Sequence, residues 1–331
     1  MQLKVGLIGC GGVGAIHAQC WQALGNQVKL VAIADADRAR AEKTAAAVGA
    51  RVYEDGLQML EQEELDVVDI CLPTFLHAQY VIKAVDYVKN VIVEKPVCLR
   101  EDEAQKLLEA QERSGALIQV AHVVRFTDAY VFLKQMVESG EYGKVVSGRF
   151  SRISPRPMWM KGHDDVDRTG TMFLDMHIHD VDYVRYLMGE PDAVSAWTVR
   201  DEKGIIQHIW SSYSYGDGKL VVEGSWDYPS GFPFSQTFRV KLEKAAVVLD
   251  EKGVLTVYPQ EGGSRIPDLG QKQQMDLGIN VSDLGPYLNE MKYFVEVIRE
   301  GNHHGVAAMS EAIASYRLAM KELKIAGGVR A

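Results

Sequence analysis

No stretch of this sequence is long and apolar enough to span a membrane, so a membrane-embedded protein is not expected. Cysteine is scarce, four in 331 residues, and Cys10, Cys20, Cys71 and Cys98 share no metal-ligand spacing. No metal site is therefore expected, and the four read as free thiols of a reducing compartment. Basic charge is in the minority, with 36 Lys and Arg against 45 Asp and Glu and a net charge of −9. That balance argues against a nucleic-acid partner, although backbone N–H groups can still hold anions locally. Internal repeats and low-complexity tracts are missing too. After Met1-Gln2-Leu3-Lys4 the chain runs into a strand-like stretch and then glycines, without the small-residue cleavage site of a signal peptide. The expected location is the cytoplasm.

What is present is an ordinary globular composition, 47% hydrophobic and 24% charged, in a chain long enough for two domains. Strand-like runs at 4–8, 29–34, 66–71, 90–93 and 118–123 alternate with helical sequence at 14–24, 37–48, 76–88 and 102–114. Such alternation implies right-handed crossovers and a parallel sheet covered on both faces. Beyond residue 122 the texture changes. A helix is expected at 130–139, a strand at 145–153, a Pro/Gly-rich loop at 154–170 and long strands between 194 and 258. In two of these, 220–228 and 234–242, apolar and polar residues alternate, so one sheet face is buried. A polar loop at 259–283 and two amphipathic helices, 286–300 and 310–325, finish the chain. The expected fold is α/β plus α+β. A Rossmann dinucleotide-binding domain (1–122) precedes an α+β substrate-binding and oligomerisation domain (123–331) with a large, mostly antiparallel open sheet. The C-terminal helix is expected to pack back on the first domain.

Gly9-Cys10-Gly11-Gly12-Val13-Gly14 is a G-x-G-x-x-G turn between the first strand and the first helix. Gly9 permits the tight turn, Gly11 the approach of a pyrophosphate, and Gly14 close helix–strand packing. Gly12 and Val13, inside the motif, are expected at the cofactor site with these glycines. Asp35, at the end of the second strand, stands where a carboxylate accepts the adenosine ribose hydroxyls. A carboxylate there repels a 2′-phosphate and favours NAD over NADP. Arg38 keeps NADP open as the alternative, since a guanidinium can pair a phosphate.

Two further segments carry chemistry: Glu94-Lys95-Pro96 directly after a strand, and the run from Gly170 to Asp182 containing Asp175, His177 and His179. Asp175 and His179 are four apart and share a helix face. Alcohol oxidation needs a base for the hydroxyl proton, which suits histidine, and a positive charge beside the developing alkoxide, which suits lysine. His177 and His179 form H-x-H, but residues two apart on a helix diverge and no third ligand follows, so metal binding is not expected.

These motifs resemble the glucose–fructose oxidoreductase, inositol dehydrogenase and rhizopine-catabolism (Gfo/Idh/MocA) family over nearly the whole chain. His17, Pro73-Thr74 with His77, and Glu290, Phe294 and Gly301 near the C-terminus also fit. The resemblance implies an NAD(P)-dependent dehydrogenase acting on a ring or chain hydroxyl of a cyclitol or sugar. It implies His179 as proton acceptor, Lys95 as the alkoxide-stabilising relay, and Asp175 as a substrate contact or orienter of His179. Asp182 is expected to be structural. Pro73, Thr74, His77, Glu94 and Lys95 would join the cofactor site. Arg125 and Phe126, with Trp159 and His163 from the loop, would join Lys95, Asp175 and His179 around the substrate. For Arg125 a domain-interface ion pair is the equal alternative. The chain departs from the family pattern at Asp86-Tyr87-Val88-Lys89-Asn90, where a glycine is common, and its loop matches no substrate subgroup. Two other functions stay open: an NADPH-linked keto-sugar reductase, and a catalytically silent nucleotide-bound sensor or co-regulator. The second domain has too few helices to cover both sheet faces, and Trp210 lies opposite Ile209, Tyr213 and Tyr215. A homodimer or homotetramer through this sheet is expected.

Overall fold

The structure is a computed structural model and describes residues 2–158, 160, 162–270 and 284–328. The chain divides into two compact units, Met1–Val123 with Lys272–Ala314, and Val124–Gln271 with Ser315–Ala331.

The first unit is organised on six short strands: β1 (Leu3–Ile8), β2 (Val28–Ala34), β3 (Arg51–Tyr53), β4 (Val67–Ile70), β5 (Asn90–Glu94) and β6 (Leu117–Ala121). They lie parallel in the order β3-β2-β1-β4-β5-β6. Val, Ile and Leu dominate them because helices on both faces leave no polar side. Those helices are α1 (Gly12–Ala23), α2 (Arg38–Val48), α3 (Gly56–Gln62), α4 (His77–Ala84) and α5 (Glu101–Ser114). Capping chemistry sets their limits. α2 starts where the Asp37 side chain accepts the Arg40 N–H, and it stops at Gly49, whose φ of 70° is left-handed. The strand order reverses at β1, between β2 and β4, and such sheets bind ligands at the carboxyl ends of the strands there.

Three local expectations change. β3 and α3 were not read from the sequence, because three and seven residues are too few to display a period. The helix expected at 76–88 is a 3₁₀ turn, Thr74–Leu76, followed by α4, which ends at Ala84. β6 stops at Ala121, and Val123–Phe126 forms a 3₁₀ turn.

The second unit contains α6 (Asp128–Glu138), β7 (Val145–Pro155), α7 (Val166–Thr169), α8 (Ile178–Met188), β8 (Ala193–Arg200), β9 (Ile206–Tyr215), β10 (Gly218–Tyr228), β11 (Ser235–Leu242), β12 (Ala245–Leu249) and β13 (Leu255–Pro259). Its sheet runs β13-β12-β11-β7-β10-β9-β8. All pairs are antiparallel except β7 with β10. Leu220, Val222, Phe238, Val240 and Leu242 face the core, where α8 packs against β7 and β10. Tyr130 meets Tyr183 edge-to-face at 4.6 Å and Phe238 at 5.1 Å, a geometry favoured by the ring quadrupoles. Among the described residues the other face is more exposed. Trp197 on β8 is 59% exposed and pairs across the strands with Trp210.

The chain then returns to the first unit. α9 (Gly285–Glu300) lies against α1 and β6, burying Met291, Phe294, Val295 and Val297. The free edge of β6 is occupied as well: the Val120 N–H donates to the Ala307 carbonyl at 2.9 Å, and Gln119 pairs with Ala308. α10 (Met309–Ile325) contains the boundary between the units, at Ala314 and Ser315.

Candidate active site

The loop between β1 and α1 is shaped by its glycines. Gly9 has a φ of +96°, and a Cβ there would stand 2.4 Å from the Cys71 carbonyl oxygen. A Cβ on Gly14 would lie 2.0 Å from the Gly9 oxygen. Neither position accepts a side chain. Gly11 differs, because a Cβ there would meet nothing within 4 Å. The space over the start of α1 is open, and Gly11 caps the helix without a side-chain hydrogen bond. The first N–H groups of Gly12, Val13 and Gly14 are therefore available to an anion. Asp35, one residue beyond β2, accepts the Cys10 N–H at 2.7 Å and the Asp37 N–H at 2.8 Å. These bonds fix the carboxylate beside the loop. Open glycine loop, uncapped helix and tethered carboxylate together fit a dinucleotide.

Arg38 is exposed, and its guanidinium is bonded to Glu42 at 2.8 Å and Glu54 at 3.0 Å. The cation nearer Asp35 is Arg40, at 3.5 Å, which sequence reasoning passed over. Pro73 and Thr74 lie at the carboxyl end of β4, Pro73 exposed and Thr74 half-buried. His77, also expected at the cofactor site, is held by the backbone around it. It is buried, with Nδ1 2.8 Å from the Pro96 carbonyl and Nε2 2.7 Å from the Leu72 carbonyl. Both ring nitrogens are engaged, so the side chain braces two loops.

Lys95 follows β5. Across residues 91–99 it is the one residue not buried. Glu94 accepts the Lys95 N–H at 3.0 Å through Oε2. Behind it lies a buried polar cluster. Asp69 Oδ2 accepts the Trp21 indole N–H at 2.7 Å and stands 3.0 Å from His17 Nδ1. Cys71 Sγ is 3.2 Å from the same nitrogen. His17, Asp69 and Cys71 are the trio of metal-ligand type among the described residues, and their donor atoms are bonded to one another and to Trp21.

In the second unit, a π-turn over Phe173–His177 runs into α8. From 171 to 184 every residue is buried except Asp175 and His179. π-turns recur at functional sites because they re-aim side chains out of the α-helical register. Thr171, just ahead, has a φ of 54°, a strained left-handed backbone for a β-branched residue. His177 points the other way: its Nε2 is 2.9 Å from Glu322, which also accepts the Tyr213 hydroxyl. The two histidines of H-x-H thus serve different surroundings. Asp182 is structural, bound to Arg125 at 2.6 and 2.7 Å and to the Ser315 hydroxyl at 2.7 Å.

Residues 3–122 match the model of an oxidoreductase family with an NAD-binding Rossmann fold, and residues 130–248 match the Gfo/Idh/MocA C-terminal domain. The chain belongs to the Gfo/Idh/MocA oxidoreductase family. It is 33% identical over 190 residues to the scyllo-inositol 2-dehydrogenase (NAD(+)) of Bacillus subtilis (strain 168), covering 57% of this chain and 54% of that protein. This match thus spans about half the relative's length. Inositol 2-dehydrogenase of Rhizobium meliloti (strain 1021) is 26% identical over 344 residues, 98% of this chain and 99% of that one. A solved oxidoreductase from Agrobacterium radiobacter, in complex with NAD+, L-tartaric acid and magnesium, has the same fold. Its TM-score is 0.87 at 20% identity, over 100% of this chain and 98% of that one. The first domain is accordingly an NAD-binding Rossmann domain by family.

In this Gfo/Idh/MocA member some of the expected substrate positions lie elsewhere. Arg125 is 4% exposed, paired to Asp182 and 4.8 Å from the centre of the Tyr186 ring. This ion pair lies within the second unit, unlike the domain-interface pair that was the alternative to a substrate contact. Phe126 is buried. His163 is half-buried, with Nδ1 3.5 Å from Asp164. Trp159 lies outside the described residues. One polar group was not foreseen. Glu223, buried on the more exposed sheet face, accepts the Ser151 hydroxyl at 2.6 Å, Trp210 Nε1 at 3.0 Å and His208 Nε2 at 3.1 Å, and pairs with Arg149. Burial pushes its pKa up, but the bonds from His208, Ser151 and Arg149 override this and hold it at about 2.

Proposed function

We propose that this protein is an NAD-dependent dehydrogenase that oxidises a ring or chain hydroxyl of a cyclitol or sugar. The carrying observation is selective exposure. In two otherwise buried runs, 91–99 and 171–184, the accessible residues are Lys95, Asp175 and His179. They are groups of the kinds that alcohol oxidation uses, a cation for the alkoxide and a base with an acidic neighbour. The similarity to inositol dehydrogenases supports a cyclitol as the first substrate class to test.

In this reading the N–H groups of residues 12–14 hold the pyrophosphate, and Asp35 accepts the ribose hydroxyls. NAD, when bound, supplies the hydride acceptor. His179 takes the hydroxyl proton, as an imidazole does well near neutral pH. Lys95 stabilises alkoxide charge with its ammonium, and Asp175 orients His179 or a neighbouring hydroxyl. Arg38 is held by two glutamates and Asp35 repels a 2′-phosphate, which favours NAD over NADP. The first unit is thus the cofactor domain and the second the substrate domain. With four free cysteines, the cytoplasm is the compartment that suits the chain.

The assay is NADH formation with a panel of inositols, aldopyranoses and their derivatives. Oxidation of at least one member is expected. If no member is oxidised with either NAD+ or NADP+, the reading fails. The more exposed face with Trp197 and Trp210 is the surface through which we expect a homodimer or homotetramer. Light scattering tests this, and a monomer at micromolar concentration overturns it.

A further inference from the structure

We propose that His17 is a positioning residue whose cationic imidazolium, held by Asp69, anchors the Glu94 carboxylate and through it the Glu94-Lys95 turn. The proposal rests on the reading of Lys95 as a catalytic group. The chain of contacts is short and runs outward from the core. Asp69 in β4 is fully buried and grips His17 Nδ1 at 3.0 Å. The other nitrogen, Nε2, faces Glu94 Oε1 at 3.3 Å. Among the described residues this nitrogen makes no hydrogen bond, and the Glu94 carboxylate is its ion-pair partner on this side of the ring. The second oxygen of Glu94 accepts the Lys95 N–H at 3.0 Å. A carboxylate–imidazolium–carboxylate relay therefore links the sheet interior to the backbone that presents Lys95.

A core histidine needs only one satisfied nitrogen and a neutral ring. This one lies between two carboxylates, where a neutral ring would leave one of them without a cationic partner in a buried site. Burial opposes protonation, but Cys71 and Asp69 beside the ring more than offset it, and the imidazole pKa stands well above the ordinary histidine range. The other titratable groups around the cluster are Cys20, Tyr287 and Glu290. The Tyr287 ring centre lies 6.0 Å from the His17 ring, closing the outer side.

Three variants separate positioning from packing. Glu94→Gln and Asp69→Asn, and His17→Gln where it folds, should each reduce kcat by about tenfold or more, the scale of a displaced catalytic group. Their effects should not multiply in the double variant His17→Gln/Glu94→Gln. Trp21→Phe removes another hydrogen bond to Asp69; it should lower Tm and leave kcat within about twofold. Histidine-labelled NMR gives a readout independent of turnover: Glu94→Gln should shift the His17 titration downward by about one pH unit or more, the effect of losing a neighbouring charge. An unmoved titration, multiplicative kcat effects, or a Trp21→Phe loss of kcat equal to the others would each overturn the proposal. If the wild type oxidises no polyol or sugar, the dehydrogenase reading fails, while the His17–Glu94 coupling is still decided by NMR.

Discussion

Replacing Glu223 by glutamine keeps the shape of the side chain and removes its charge. The carboxyl moves from an ordinary 4.5 to about 2 in the folded protein, which at about 1.4 kcal/mol per pH unit is about 3 kcal/mol of stability. Arg149 contributes to that shift, yet its side chain is 61% exposed, so solvent screening reduces the total to about 2 kcal/mol. The amide adds a second penalty. Its NH2 group must face two of the donors that the carboxylate accepts, leaving bonds unmade at about 1 kcal/mol or more. A loss of about 3 kcal/mol at pH 7 is therefore expected. The folded-state pKa is depressed, so the charge-dependent part is complete above 4.5 and disappears as pH falls toward 2. The assay is urea unfolding of both proteins at pH 7 and pH 3, at one fixed protomer concentration. The gap should narrow by about 1 kcal/mol or more at the lower pH. A variant within about 0.5 kcal/mol of the wild type at pH 7, a change no larger than ordinary surface substitutions give, or a gap that ignores pH, refutes the reasoning.

Lys95→Ala and His179→Ala should each lower turnover by at least about a hundredfold, with NAD binding retained in the His179 variant. Near-normal kcat in a folded His179→Ala protein removes that residue from the mechanism. Isothermal titration of NAD+ and NADP+ should show NAD+ binding more tightly, and Asp35→Ala should narrow the difference. If NADP+ wins in the wild type, Arg40 rather than Asp35 governs the site. Gly14→Ala pushes a methyl group to 2.0 Å from the Gly9 oxygen, so it should destabilise by about 3 kcal/mol or more; an unchanged melting curve would show that the loop yields.

Local features were readable in advance, and long-range partnerships were not. The glycine loop, Asp35, the Glu94-Lys95 pair and the Asp175–His179 spacing are encoded within a few residues, so residue type and period suffice. The alternation in β10 and β11 likewise announces a one-sided sheet. Arg125 shows where this kind of reading ends. A guanidinium next to expected site residues looks like a ligand contact, and only the fold reveals Asp182, 57 positions away, as its partner. Glu223, on β10, joins donors from β7 and β9, and His17 joins carboxylates from β4 and β5. Neither set leaves a trace in spacing. β3 and α3 were missed because they are shorter than the window a period needs. The bracing of two loops by His77 is invisible in one dimension, because its partners are backbone carbonyls brought near only by the fold.

The return of the chain to β6 and α1 has a consequence for how this protein is made. During synthesis the glycine loop and all six Rossmann strands emerge first, but the edge of β6 and the surface beneath α9 stay uncovered until residues 285–308 have followed. The nascent first unit thus displays an unpaired strand edge and an apolar groove while the whole second sheet is being translated. A gene cut after residue 122 would freeze that state and yield an aggregation-prone fragment in place of an autonomous cofactor-binding module.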